Sequence, residues 1–491
     1  MKFLKLCQNE FIKTIKKKST IIMIILTLVS ILGALAFSSL IKVLNDVSEE
    51  SMYYGMSIDE NIASLNSKIA NDTTLSEQSK GHLQAELDMY QLAKENNVDL
   101  NGFYSNWKVN ILYNIQEEKC NLVDYKLRDV EKSTIDEKQE YINKLIQILK
   151  KDDFSGYIEL QKQNEKQYLD NKEITQKEYD SNIEILELSK KYEIGKTAKA
   201  EDVWKDTVLS EITMLKQNLL TGINSNTGKV LTIEEQQKQK DALTLDLYRL
   251  ENNIPTTDSM TDYRTVYDYM AISFTSLFLS IMMIMIAGSA ISTEISKGTI
   301  KFWTITPNKR WKIMLSKILS ALFILIAMIV IISLLSDLIG TIVYRDNPPQ
   351  DYYYVENGEV KAINHNIYTI LYNLVSGIDI LVFMLFALML STITRSTATS
   401  VGISIATYVG SAPIMSIINA LVKMDFIKFI PFNNIGLVDK VFPNSVSFMT
   451  MEMASTMLNN VSVWFSLAVL GVCAILMLVT MFDSFNKRDI I

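Results

Sequence analysis

The sequence predicts an all-α, polytopic membrane protein with six transmembrane helices, both termini cytoplasmic, and a helical extracellular domain after the first span. Three observations carry that expectation. Long apolar runs are confined to the N-terminus and the C-terminal half of the 491 residues, each long enough for a helix to cross the hydrocarbon core. Lysine and arginine gather on alternate loops, which sets the orientation. All seven prolines stand at or after Pro255, so no proline breaks a helix in the first 254 residues, which include nearly all of the polar stretch between the first two runs.

Residues 1–18 interleave Phe3, Leu4, Leu6, Phe11, Ile12 and Ile15 with lysines, the pattern of an amphipathic helix lying on the cytoplasmic membrane surface. Attraction to anionic lipid and docking of a cytoplasmic partner both fit it. Lys13, Lys16, Lys17 and Lys18 hold the start of the first span, residues 19–41, inside. Ala34-Leu35-Ala36 resembles a signal cleavage site, yet the apolar run continues to Ile41, so the segment reads as an uncleaved anchor.

Residues 42–265 read as the extracellular helical domain. Tyr141, Ile142, Leu145, Ile146 and Leu149 recur at helical spacing, as do Leu243, Leu247, Leu250 and Ile254. Turns are expected at 151–153 and 225–228. Both ends return to one membrane face, which fits long antiparallel helices as well as a compact bundle.

Residues 266–491 supply the five further spans, at 266–291, 313–343, 367–393, 397–418 and 461–482. Between the second and third lies a basic loop, 292–312, with Lys297, Lys301, Lys309, Arg310 and Lys312, and Lys317 adds positive charge at the same membrane edge. Its Trp303 and Trp311 suit the interfacial belt. Arg395 separates the fourth and fifth spans, and Lys487 and Arg488 follow the sixth. Acidic Asp346, Asp351, Glu356 and Glu359 fall on the opposite side. Pro413 is expected to kink the fifth span. Phe426, Ile427, Phe429, Ile430 and Phe432, with Pro431 and Pro443, suggest that 424–445 is an outer segment that re-enters the membrane or lies on its outer surface.

Several chemistries are excluded. A net charge of −7 argues against nucleic acid. His82 and His365 are the only histidines and stand far apart, so no histidine-based metal site or nucleophile is expected, and no catalytic residues are assigned. Cys7, Cys120 and Cys473 fall in three compartments, so no internal disulfide is expected. Gly195-Lys196-Thr197 lacks the earlier glycine of a phosphate-binding loop, its place being taken by Lys190. Phe103, Tyr104 and Trp107 read as packing rather than a ligand stack. Two carboxylates remain within spans: Asp337 toward the outer end of the third, and Asp379 well inside the fourth. A carboxylate in hydrocarbon costs a few kcal/mol, so each must face protein or water. Asp379 suits a cation, proton or substrate contact or an interhelical hydrogen bond. Asp337 suits the outer interface.

With these residues in view, the chain resembles the membrane permease subunit of a type-2 ATP-binding-cassette exporter. Residues 2–18 match that family's interface helix. Glu294, Gly298, Thr299, Pro307 and Arg310 match its acidic-then-Gly-Thr, later Pro-x-x-Arg pattern. The resemblance implies that segment 424–445 takes the re-entrant form and that loop 292–312 holds a coupling helix. There Glu294 would hold the loop's geometry, Gly298 would allow a bend or close approach, and Pro307 would stop the helix. It covers the ends and all six spans but not the domain between the first two. It further implies a cytoplasmic ATP-binding subunit that carries ATP and Mg, none of it bound by this chain. A second permease chain, identical or sibling, and membrane lipid complete the implied partners. The implied activity is export of an amphipathic substrate, such as an antimicrobial peptide, drug or lipid-like compound, across the cell membrane. Abundant lysine, asparagine and isoleucine suggest a low-GC bacterium. The alternative is a non-transporting surface receptor or secretion-apparatus scaffold with a helical outer domain. The span count disfavours a permease acting only on outside cargo, and a membrane enzyme lacks clustered ligands.

Overall fold

Apolar composition decides where the long helices lie, because a helix is the one open-ended structure that satisfies its own backbone in lipid. The computed structural model describes residues 2–51, 56–100, 106–197, 202–256, 263–299, 309–421, 425–442 and 461–487. Among them, six helical stretches are long and apolar enough to cross a membrane: Lys18–Val43, Tyr263–Gly288, Arg310–Val343, His365–Thr394, Thr397–Asn419 and Val463–Phe485. They lie in helices α2 (Lys18–Ser51), α11 (Tyr263–Gly288), α13 (Arg310–Val343), α14 (His365–Thr394), α15 (Thr397–Leu421) and α17 (Val463–Lys487). The amphipathic stretch forms α1 (Lys2–Ile15), separate from α2.

The described chain divides into two compact units, one of residues 1–43, 257–354 and 362–491, the other of 44–256 with 355–361. In the first, α11 packs against α13, α14 and α15. Its core is built from Met282, Met283, Ile284, Met314, Ile324, Phe383, Met384 and Leu388. Large apolar side chains stay exposed on the other faces, among them Ile21, Ile22 and Ile25 of α2, Phe323 and Leu334 of α13, and Ile475, Leu476 and Val479 of α17. In a membrane those faces meet acyl chains. α15 runs through Pro413 as one helix.

Among its described residues the second unit holds the helices α3 (Ile58–Asn71), α4 (Glu77–Glu95), α5 (Trp107–Leu127), α6 (Lys132–Lys150), α7 (Phe154–Asp170), α8 (Gln176–Lys191), α9 (Val203–Thr221) and α10 (Ile233–Asn252). Ser57 with Glu60, Thr175 with Glu178, and Thr232 with Glu235 start three of them with capping boxes. Each helix packs mainly on its sequence neighbours, so the unit is a series of short helices rather than long rods. Leu112, Ile115, Ile142 and Leu145 fill one core, and Trp204, Val208, Ile212 and Leu250 a second. Trp107 belongs to the first, its ring 5.8 Å from Phe154 and 5.7 Å from Tyr157. Phe103 and Tyr104 lie outside the described residues. The expected turns separate α6 from α7 and α9 from α10.

Among the described residues, one paired-strand element departs from the all-helical pattern. Residues after α13 form a two-stranded hairpin, β1 (Tyr352–Glu356) and β2 (Glu359–Ile363). Asn357 and Gly358 connect them with φ of 55° and 80°, the left-handed pair that a type I′ turn requires. Tyr352 stacks on Tyr368 of α14 with ring centroids 4.6 Å apart.

Candidate functional site

The loop after α11 opens with a short helix, α12 (Ser292–Ser296), pinned by hydroxyl groups. The Ser292 N–H donates to Ser391 Oγ of α14 at 3.0 Å, and Ser292 Oγ lies 2.8 Å from Thr397 Oγ1 of α15. Ser400 Oγ donates to the Gly288 carbonyl at 2.7 Å. Small hydroxyls let these helix ends approach while satisfying the backbone. α12 ends where Gly298 takes φ +67°, with open space around it, so glycine is needed for the bend and not for close approach. Thr299 Oγ1 then donates to the Glu294 carbonyl at 3.2 Å, closing the turn.

Glu294 is thereby aimed inward, and it is 5% exposed. Its Oε1 accepts from Lys317 Nζ of α13 at 2.9 Å and also from Lys13 Nζ of α1. Lys317 Nζ donates in addition to Glu10 Oε2 of α1 at 2.7 Å. Two carboxylates and two ammonium groups thus alternate where α1, α12 and α13 meet, the arrangement that lets buried charges persist. Burial opposes the charge on Lys13, but the Glu294 carboxylate outweighs it and holds the Lys13 pKa above its ordinary value. α1 is further held to α13 by Ser320 Oγ donating to the Cys7 carbonyl at 3.0 Å and by an edge contact of Phe11 on Phe323. Arg310 is the first residue of α13, about two turns before Lys317. Pro307 lies outside the described residues, as do 300–306 and 308.

The structure therefore brings Glu294, Gly298 and Thr299 together in one capped turn. Glu10, Lys13 and Lys317 are functional candidates that the sequence reading counted only as surface charge or passed over. A signal was present: Lys317 stands inside the apolar run of α13, where an ammonium group needs a partner.

The two intramembrane aspartates join separate networks. Asp337 Oδ1 lies 3.1 Å from Arg264 Nη2, and Arg264 Nε lies 2.8 Å from Asp268 Oδ2. His365 Nε2 is 3.7 Å from both carboxylates. Tyr267 OH donates to the Ser336 carbonyl at 2.9 Å. α11, α13 and α14 are so joined at the end opposite α12. Arg264 is 1% exposed in the first turn of α11, although its position in the sequence suggested the edge of the polar domain.

Asp379 of α14 accepts the Gly436 N–H at 2.9 Å, directly before the short helix α16 (Leu437–Val441). Its other oxygen is buried without a hydrogen-bond partner among the described residues. The described part of the segment between α15 and α17 is short-helical, with 3₁₀ turns at Asp425–Phe429 and Pro431–Asn434. Asn419 and Asn433 exchange amide hydrogen bonds of 3.0 and 3.2 Å, which tie that segment back to α15. Residues 424 and 443–445 of the expected re-entrant segment lie outside the described residues. His82 pairs with Asp124 at 2.9 Å in the second unit, and no group of three metal-ligating side chains occurs among the described residues.

Comparison with known proteins matches this architecture. Residues 4–490 match the family model described as ABC-2 family transporter protein. The chain is also similar to the uncharacterized protein YhcI of Bacillus subtilis (strain 168), 28% identical over 254 residues, or 51% of this chain and 76% of that protein. Six membrane helices, an amphipathic helix before the first, and a family match over nearly the whole length lead to one conclusion: the chain belongs to the ABC-2 family of transporters and is a multi-pass permease.

Proposed function

We propose that this permease exports an amphipathic substrate, such as an antimicrobial peptide, drug or lipid-like compound, driven by a separate cytoplasmic subunit that binds ATP and Mg. The observation that carries this reading is the charge cluster around Glu294. It ties the start of loop 292–312 to both α1 and α13, so a push on the loop is delivered to the interface helix and the third span together. A loop held by one flexible tether would absorb such a push. Gly298, Thr299, Pro307 and Arg310 complete the coupling loop in this proposal. Asp379 anchors the outer re-entrant segment through Gly436, and its free oxygen is the candidate contact for cargo. Asp337 neutralises Arg264 at the outer end of the spans.

The orientation follows from the lysine-rich loops: termini and loop 292–312 in the cytoplasm, residues 42–265 outside. Six spans make a small pathway, so two permease chains, identical or sibling, assemble with the ATP-binding subunits.

The test is the transporter copurified with its ATP-binding subunit and reconstituted in proteoliposomes. Glu294→Gln combined with Arg310→Gln should leave ATP hydrolysis running while export of cationic amphipathic probes falls at least about fivefold. Unchanged export would end the coupling assignment. Recovery of surface or secretion proteins alone, with no ATP-binding subunit, would favour a non-transporting scaffold instead.

A further inference from the structure

Behind α1, the side chains of Glu10, Lys13, Lys17, Glu294 and Lys317 line one small cavity that is open on one side. Its charges do not balance. The two carboxylates are taken by Lys13 and Lys317. Lys17, at the turn between α1 and α2, has no carboxylate partner and no side-chain hydrogen bond among the described residues. Burial, and then the nearby charge of Lys317, hold its pKa below the ordinary lysine value against the weaker opposing pull of Glu294 and Glu10. A half-buried ammonium group without a direct ion-pair partner is costly, and an anion would relieve that cost.

The form of the site says which anion. Its enclosed part has room for roughly one water molecule, so an anion can present oxygen atoms to Lys17 while its bulk stays at the mouth. Lys17 stands one residue before the first span, at the depth of lipid headgroups. Ile21 and Ile25 of α2 follow Lys17 at four-residue spacing and are 44% and 54% exposed. A phosphate attached to acyl chains that lie on Ile21 and Ile25 fits both the charge and the apolar stripe. Free phosphate would use the charge alone.

We infer that Lys17 forms a specific site for the phosphate of an anionic phospholipid, seated beside the Glu294 cluster. The inference stands on the chain being a membrane permease and not on the coupling role of Glu294, because its readout is binding.

The full-length chain, purified in mild detergent and stripped of lipid, would be titrated with phosphatidylglycerol and with phosphatidylcholine by native mass spectrometry. One tightly held phosphatidylglycerol is expected. Lys17→Gln should weaken it about tenfold, the loss of one charge-assisted contact, and Lys17→Arg should retain it. Lys16→Gln removes the same charge from the neighbouring exposed position and should leave binding intact. Equal weakening by the two glutamine variants would reduce the effect to general electrostatic attraction and overturn the site. Displacement of the lipid by millimolar inorganic phosphate would assign the site to a free anion. If Lys17→Gln spared lipid and instead lost the ATP-binding subunit, the counterion of Lys17 would be a protein carboxylate and the lipid site would fall.

Discussion

Glu294 gathers two ammonium groups from two other helices while being almost wholly enclosed. Glu294→Gln keeps the shape but withdraws one of the carboxylates that neutralise Lys317. Removing one partner of a buried pair costs on the order of 3 kcal/mol, so chemical unfolding of the purified chain should shift by about that much. Glu294→Gln with Lys317→Met should recover much of the loss, because the lost carboxylate is then matched by the loss of one of the ammonium groups it neutralised. A single variant as stable as the parent would show that the cluster contributes little. Lys13 adds a pH prediction. Its folded pKa is raised, so its stabilising contribution is complete below the ordinary value of 10.5 and is lost as pH rises through the higher folded value. The contact of α1 with α12 should therefore survive across the neutral range. Cross-linking between cysteines placed on the two helices would reveal an earlier loss.

At the scale of elements, close helix approach and independent cores make separate predictions. A Cβ at Gly340 of α13 would stand 2.6 Å from Arg264 Cζ and 2.7 Å from Tyr267 Cε1, so α11 and α13 meet there without room for a side chain. Gly340→Val should cost about 1–3 kcal/mol through overpacking, and it should loosen the Arg264 network. Thermal unfolding in detergent would check it. Within the second unit, Leu145→Ala should cost about 2–5 kcal/mol by leaving a cavity in a fully buried core. Limited proteolysis of the full chain should then cut within residues 56–256 while the spans stay protected. The hairpin was legible and overlooked: Asn357-Gly358 between Tyr352–Val355 and Val360–Ile363 is a strong short-range turn signal.

For the whole molecule, the long helical segment is the feature that most separates this chain from a minimal six-span permease. Replacing residues 56–256 with a short Gly/Ser linker should leave recovery of the ATP-binding subunit near equal amounts, because the Glu294 cluster lies in the other unit. Export of amphipathic probes by that variant should fall if the segment receives or shields cargo. Loss of the ATP-binding subunit itself would assign the segment to assembly.

By itself, the sequence determined the class of the molecule. Length of apolar run, charge on alternate loops and absence of early proline are local quantities, and local quantities suffice for spans and helices. The Glu294, Gly298 and Thr299 pattern was also readable, since a capped turn is made within a few residues. Tertiary structure alone decided which lysines are buried, that Lys317 donates to the Glu10 carboxylate across 307 positions, and that Arg264 belongs to the spans. Ion pairs between distant helices depend on how faces rotate toward one another. Periodicity along one helix does not carry that information.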